Sequence, residues 1–138
     1  MRTIVLAAML AAVGGCASTH RITPQLAAES VDFAQAPSLE VRLSSYEFTP
    51  STIRMNAGRP YALKLVNGPK EHTFTAPEFF AAAKVAPRDA AQIADGEVKL
   101  SGGQSVTVHL VPTAGQYKVV CTEFGHAMLG MRGTIVVE

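Results

Sequence analysis

The stretch Tyr61-Ala62-Leu63-Lys64-Leu65-Val66-Asn67-Gly68-Pro69-Lys70-Glu71-His72-Thr73-Phe74-Thr75-Ala76 decides the fold class. Two short β-type runs, residues 61–67 and 72–76, flank the turn Asn67-Gly68-Pro69, whose glycine and proline interrupt regular structure. The same pattern continues in both directions. Further short runs are expected at residues 39–44, 51–55, 98–100, 105–111, 117–121 and 134–137, with turns at Asn56-Ala57-Gly58, Ser101-Gly102-Gly103 and Pro112-Thr113-Ala114-Gly115. Many short strands at this spacing predict an all-β fold, a Greek-key sandwich or barrel. One interruption is helical: Pro77-Glu78 opens Phe79-Phe80-Ala81-Ala82-Ala83-Lys84 and Pro87 stops it, which predicts one short helix near residues 78–85. A further turn is expected in the alanine-rich residues 89–94, and Phe74, Phe79 and Phe80 are read as packing residues.

The N-terminus reads differently. Arg2 precedes an apolar run over residues 4–13, too short to span a bilayer, and Gly14-Gly15 leads into Cys16. Residues 1–15 are read as an export signal, and Val13-Gly14-Gly15-Cys16 resembles a bacterial lipobox in which Cys16 is lipidated and becomes the first mature residue. Ala17 after it fits sorting to the outer membrane, so the expected location is the periplasm, on a membrane-anchored lipoprotein. An ordinary secretory signal with an incidental cysteine is the competing reading. Residues 16–38, poor in large apolar groups, are expected to form a flexible tether, with at most a short helix over 26–33. Residues 39–138 then form one domain. A net charge of +1, with no Lys/Arg run, argues against nucleic acid as a partner.

An exported protein normally pairs its thiols, yet beyond Cys16 the chain has only Cys121. A solitary exported cysteine is an inert buried thiol, a reactive thiol or a metal ligand. Its neighbours decide: Cys121-Thr122-Glu123-Phe124-Gly125-His126-Ala127-Met128-Leu129-Gly130-Met131-Arg132-Gly133 offers a thiolate, an imidazole and thioethers in one loop. Soft donors at this density suit copper, and two histidines with one cysteine and a weak axial methionine define a type 1 site. The second histidine has to come from elsewhere in the sandwich, and His72, opening a strand after the Asn67-Gly68-Pro69 turn, is placed to supply it. Met128 competes with Met131 for the axial position, and the Gly130-Met131-Arg132-Gly133 context favours Met131. His109, on the polar face of Val106-Thr107-Val108-His109-Leu110, is expected at the surface, like Glu123; His20 falls in the tether.

These residues carry a family resemblance. Tyr46-Glu47-Phe48-Thr49-Pro50-Ser51-Thr52-Ile53, Gly58-Arg59-Pro60-Tyr61, Asn67 and Glu71-His72 resemble the opening strands of the cupredoxins up to the first histidine ligand. Gly115-Gln116-Tyr117 before Cys121, then His126 and Gly130-Met131-Arg132-Gly133-Thr134-Ile135-Val136-Val137, resemble the closing strand, ligand loop and last strand of the plastocyanin and azurin type. The resemblance implies one copper ion cycling between Cu(I) and Cu(II), with Cys121 as thiolate, His72 and His126 as imidazoles and Met131 as axial thioether. It also implies a monomeric electron carrier, not an enzyme, whose redox partners dock near His126 over Ala127, Met128 and Leu129. Two positions depart from the pattern. Thr73 stands where many members have an asparagine that fastens the ligand loop, and Gly125 stands where a binuclear copper loop needs a second cysteine. Copper oxidases and nitrite reductases need many more histidines than the four in this chain. The rival from another class is a copper carrier or delivery module that does not cycle the valence, for which Met128 beside Met131 speaks and the thiolate does not.

Overall fold

The computed structural model describes residues 21–138; the export signal, Cys16 and His20 lie outside the described residues. Two mixed sheets pack face to face. The first has the strand order β1-β7-β9-β5-β2-β3, built from β1 (Gln25–Leu26), β2 (Ser38–Ser44), β3 (Glu47–Thr49), β5 (Tyr61–Asn67), β7 (Lys84–Val85) and β9 (Ser105–Val111). The second has the order β4-β11-β10-β6-β8, built from β4 (Thr52–Met55), β6 (His72–Thr75), β8 (Glu97–Leu100), β10 (Gly115–Val120) and β11 (Arg132–Val137). This is the expected β-sandwich.

Alternation generates the core. In β5, Tyr61, Leu63 and Leu65 point inward, and they face Leu110, Val108 and Val106 of β9 in antiparallel register. From the second sheet Ile53, Met55, Phe74, Val98, Leu100, Val119, Ile135 and Val137 close on them. An aromatic chain crosses this interior by edge contacts, Phe48 to Phe74 at 5.8 Å, Phe74 to Phe80 at 6.1 Å and Phe79 to Tyr117 at 5.5 Å. Phe74, Phe79 and Phe80 are fully buried, as their reading as packing residues required.

The helix α1 runs Pro77–Ala82, with Pro77 in the first turn and Glu78 at its positive end. It is shorter than the expected span over 78–85: Ala83 turns extended, and Lys84–Val85 pairs with β9 at Val111 and Leu110. Satisfying the open edge of β9 outweighs one more helical turn. The alanine-rich stretch forms a single 3-10 turn, Ala90–Gln92.

Residues 21–37 also differ from expectation. No helix forms over 26–33; instead Gln25–Leu26 adds a parallel strand to β7, Ala27 N–H donates to the Val85 carbonyl at 2.8 Å, and the Ala27 side chain is buried. This segment lacks bulk, yet its backbone pairs with β7 at one edge of the first sheet. Phe33 sets its ring edge against His109 at 5.8 Å. His109 itself is half-buried, not a free surface group: its backbone N–H and its Nδ1 both lie 2.8 Å from Asp89 Oδ2. Asp89 is buried, so its carboxylate draws in the donors within reach, Gln92 Nε2 at 3.1 Å included.

The start of α1 is locked to β8 at Gly96, whose carbonyl accepts the Ala76 N–H at 2.9 Å. Its φ of +77° is left-handed, and a Cβ there would stand 2.3 Å from Pro77 Cα. Gly96→Ala is therefore expected to destabilise the domain by about 1–3 kcal/mol. A lowered urea midpoint at unchanged slope is the result to look for.

Candidate metal centre

Two strands of the second sheet and one loop build the site. β6 opens with His72, paired to Leu100 of β8, and β10 runs beside β6 with Val120 opposite Thr75. Cys121 follows β10 directly, so the sheet brings to one end two residues far apart in the chain. The turn ahead of His72 is pinned by Asn67, a buried amide whose Nδ2 lies 2.7 Å from the Lys70 carbonyl, 2.8 Å from that of Ser101 and 3.1 Å from that of Leu100. This amide fixes where β6 begins.

Between Cys121 and β11 the chain folds back on itself through backbone bonds. Cys121 N–H donates to the Met131 carbonyl at 3.1 Å, Met131 N–H to the His126 carbonyl at 3.0 Å, and His126 N–H to the Glu123 carbonyl at 3.1 Å. The Arg132 guanidinium ties down the Ala127 carbonyl at 2.9 Å. Loop positions 121, 126 and 131 are thus cross-linked before any ligand is considered.

The donor atoms converge. His72 Nδ1 and His126 Nδ1 face each other at 3.1 Å, and Cys121 Sγ lies 3.5 Å from His126 Nδ1 and 3.9 Å from His72 Nδ1. Among the described residues these three form a group able to hold a metal ion. Two nitrogens and one sulfur bound to a single first-row ion, at about 2.0–2.3 Å, stand roughly 3.3–3.8 Å from one another. The observed spacing fits that set, and the softness of the thiolate selects copper over hard cations. Met131 is fully buried, whereas Met128 projects into solvent, 89% exposed.

Burial prepares one donor. His72 is almost wholly enclosed, with its Nε2 buried and unpartnered. Desolvation, and then the neighbouring His126, push its imidazole below the usual histidine range, with Glu123 pulling the other way. A neutral imidazole is the form that coordinates a metal. Glu123 acts here through its charge; it is not among the converging donors.

Thr73 answers the missing asparagine in part. It is fully buried, its backbone N–H points at Cys121 Sγ at 3.4 Å, and its hydroxyl oxygen accepts the Thr122 N–H at 2.8 Å. Two further residues of the rim are not legible as site residues in the sequence. Tyr46 sets its ring across that of His126, with centroids 5.0 Å apart, and Phe124 is fully exposed. Phe124 has no donor atom and Tyr46 meets His126 through its ring, so no ligand pattern could have marked them.

Solved structures similar to this one include auracyanins and a multicopper oxidase. An auracyanin described as a blue copper protein, auracyanin A of Chloroflexus aurantiacus, is 21% identical over 73% of this chain and 98% of its own, with a TM-score of 0.53. Auracyanin B is 20% identical over 86% of this chain and 97% of its own, with a TM-score of 0.57. A multicopper oxidase of Aquifex aeolicus aligns with a TM-score of 0.61 at 14% identity, over 78% of this chain but 30% of its own. No curated protein sequence matches the chain. The model of copper binding proteins of the plastocyanin/azurin family matches residues 36–138, from the edge of β2 to the last residue, and so takes in His72, Cys121, His126 and Met131. With three of those side chains converging on one point, the chain belongs to the plastocyanin/azurin family of copper-binding proteins, the cupredoxins.

Proposed function

We propose that this copper-binding electron carrier works through one type 1 centre, which the converging His72, Cys121 and His126 would hold together with the thioether of Met131. The observation that carries the reading is the convergence of two Nδ1 atoms and one Sγ within 3.1–3.9 Å. The ion supplies the one-electron couple, Cu(I)/Cu(II). The residues supply the constraint: the backbone bonds among Cys121, His126 and Met131 and the Thr73 N–H on Sγ hold the donors in one arrangement, so that neither valence can draw the site into its preferred geometry. A single ion is further supported by Gly125, whose φ of +80° is left-handed, an unfavourable conformation for the second cysteine that a binuclear site requires.

His126 is the one close donor residue that is not buried. Around it Phe124, Met128 and Leu129 stand exposed, with Tyr46 at their edge, and this apolar rim suits a weak, short-lived contact with a redox partner. Export and anchoring belong to the same reading: residues 1–15 direct secretion, lipidated Cys16 holds the protein at the periplasmic face of a membrane, the outer one by the Ala17 argument, and the domain acts there as a monomer. The rival, a copper carrier that does not cycle the valence, keeps one favourable feature in the exposed thioether of Met128.

Equimolar Cu(II) added to the mature protein is expected to give an intense visible thiolate-to-copper band and narrow copper hyperfine splitting. Cys121→Ser should abolish both, Met131→Ala should shift them, and Met128→Ala should leave them as they are. A tetragonal copper spectrum, or binding of Cu(I) alone, would put the carrier first. His72 is held below its ordinary value of 6.5 in the fold, so the unfolded chain binds the proton first as acid is added. Stability of the metal-free domain should be flat above that value and fall as pH drops through it, a slope that His72→Gln reduces. Cys16→Ser should release the protein from the membrane fraction and remove labelled fatty acid; retention of both would disprove the anchor.

A further inference from the structure

We infer that Glu97 is a positioning residue for the metal centre, acting on the ligand-bearing segments through a chain of three threonines; the inference rests on the copper site proposed above. Glu97 lies on β8, directly opposite Thr75 of β6, and Thr73 shares the face of Thr75 two residues away. Its Oε2 lies 2.7 Å from Thr75 Oγ1 and 2.6 Å from Thr122 Oγ1. Thr73 Oγ1 in turn lies 3.0 Å from Thr75 Oγ1 and 2.9 Å from Thr122 Oγ1, and it accepts the Thr122 N–H at 2.8 Å.

Counting protons orders this network. An ionised carboxylate only accepts, so the hydroxyl protons of Thr75 and Thr122 are both committed to Oε2. The Thr73 hydroxyl then has to donate its own proton to one of those two oxygens, which leaves its lone pair for the Thr122 N–H. Every bond runs in one direction, from the Thr122 amide through Thr73 to the Glu97 anion, and each strengthens the next. Thr122 follows Cys121 and Thr73 follows His72 in the chain. Fixing the residue next to each donor fixes the separation of Sγ from the His72 ring, and the Thr73 N–H on Sγ adds the last link. What one asparagine side chain could do between two segments is here shared by Thr73, Thr75, Thr122 and Glu97.

Hydrogen exchange in the metal-free protein tests the clamp without copper. In Glu97→Ala the Thr122 amide should exchange about tenfold faster, the loss expected for one charge-assisted bond, while the amides of β5 keep their wild-type rates. Thr73→Val, which removes the hydroxyl at constant shape, should do the same, and Glu97→Gln, which accepts but carries no charge, should fall between. With copper bound, Glu97→Gln should keep the full copper stoichiometry, displace the thiolate charge-transfer band and raise the midpoint potential, because an anion close to the ion favours Cu(II). Unchanged Thr122 exchange in Glu97→Ala would overturn the inference, and so would an equal acceleration of every amide in the domain, the mark of plain destabilisation. A wild-type protein without a type 1 spectrum would overturn the copper reading instead, and the exchange comparison would still decide the clamp.

Discussion

The pairing of β6 with β10 is the constraint on which the site depends. Val120 lies opposite Thr75, and because the two strands run antiparallel, the residue that follows one and the residue that opens the other reach the same end of the second sheet. His72 and Cys121 are neighbours for that reason alone. No local preference of either segment brings them together; the sheet order β4-β11-β10-β6-β8 does. The hydrophobic faces behind these strands, Phe74 and Val119 among them, hold the pairing in place, so core packing and site geometry are one problem.

The loop between Cys121 and Arg132 adds a different kind of order. Much of its polar backbone is paired within the loop, by bonds that run from Cys121 to Met131, from Met131 to His126 and from His126 to Glu123. The outcome is asymmetric. Cys121, His72 and Met131 face the interior, His126 reaches the rim, and Phe124, Met128 and Leu129 surround it in solvent. An electron-carrying centre needs that division, because the buried side excludes water and resists rearrangement while the open side admits a partner to close range.

At the far side of the first sheet the same logic of unsatisfied groups shapes the N-terminal segment. Gln25–Leu26 closes the edge left by β7, Ala27 enters the core margin, and Phe33 meets the His109 ring, itself held by the buried Asp89 carboxylate. A stretch whose composition reads as flexible is laid along the domain by backbone pairing, a term to which composition is blind.

Short runs of alternating residues cut by Gly, Pro and Asn were enough to read the sandwich and most of its strands, since burial of every second side chain writes itself into sequence. Cys121, His126 and Met131 stood out as candidate donors, being close in the chain and chemically rare together, and the fold brings the first two together with His72. His72 was placed by position after a turn, and Met131 was preferred to Met128 by its glycine context; in the fold Met131 is buried and Met128 exposed. The short strands β1, β3 and β7, the early end of α1 at Ala82, the His109–Asp89 pair and the Thr73–Thr75–Thr122–Glu97 network were not legible. Each depends on which edge or carboxylate lies opposite, a partner distant in sequence. Residue chemistry and local alternation thus determined the fold class and the donor types; long-range strand register decided which donors meet, what holds them, and which of them touches solvent, because register is fixed only when the two sheets bury their inner faces together.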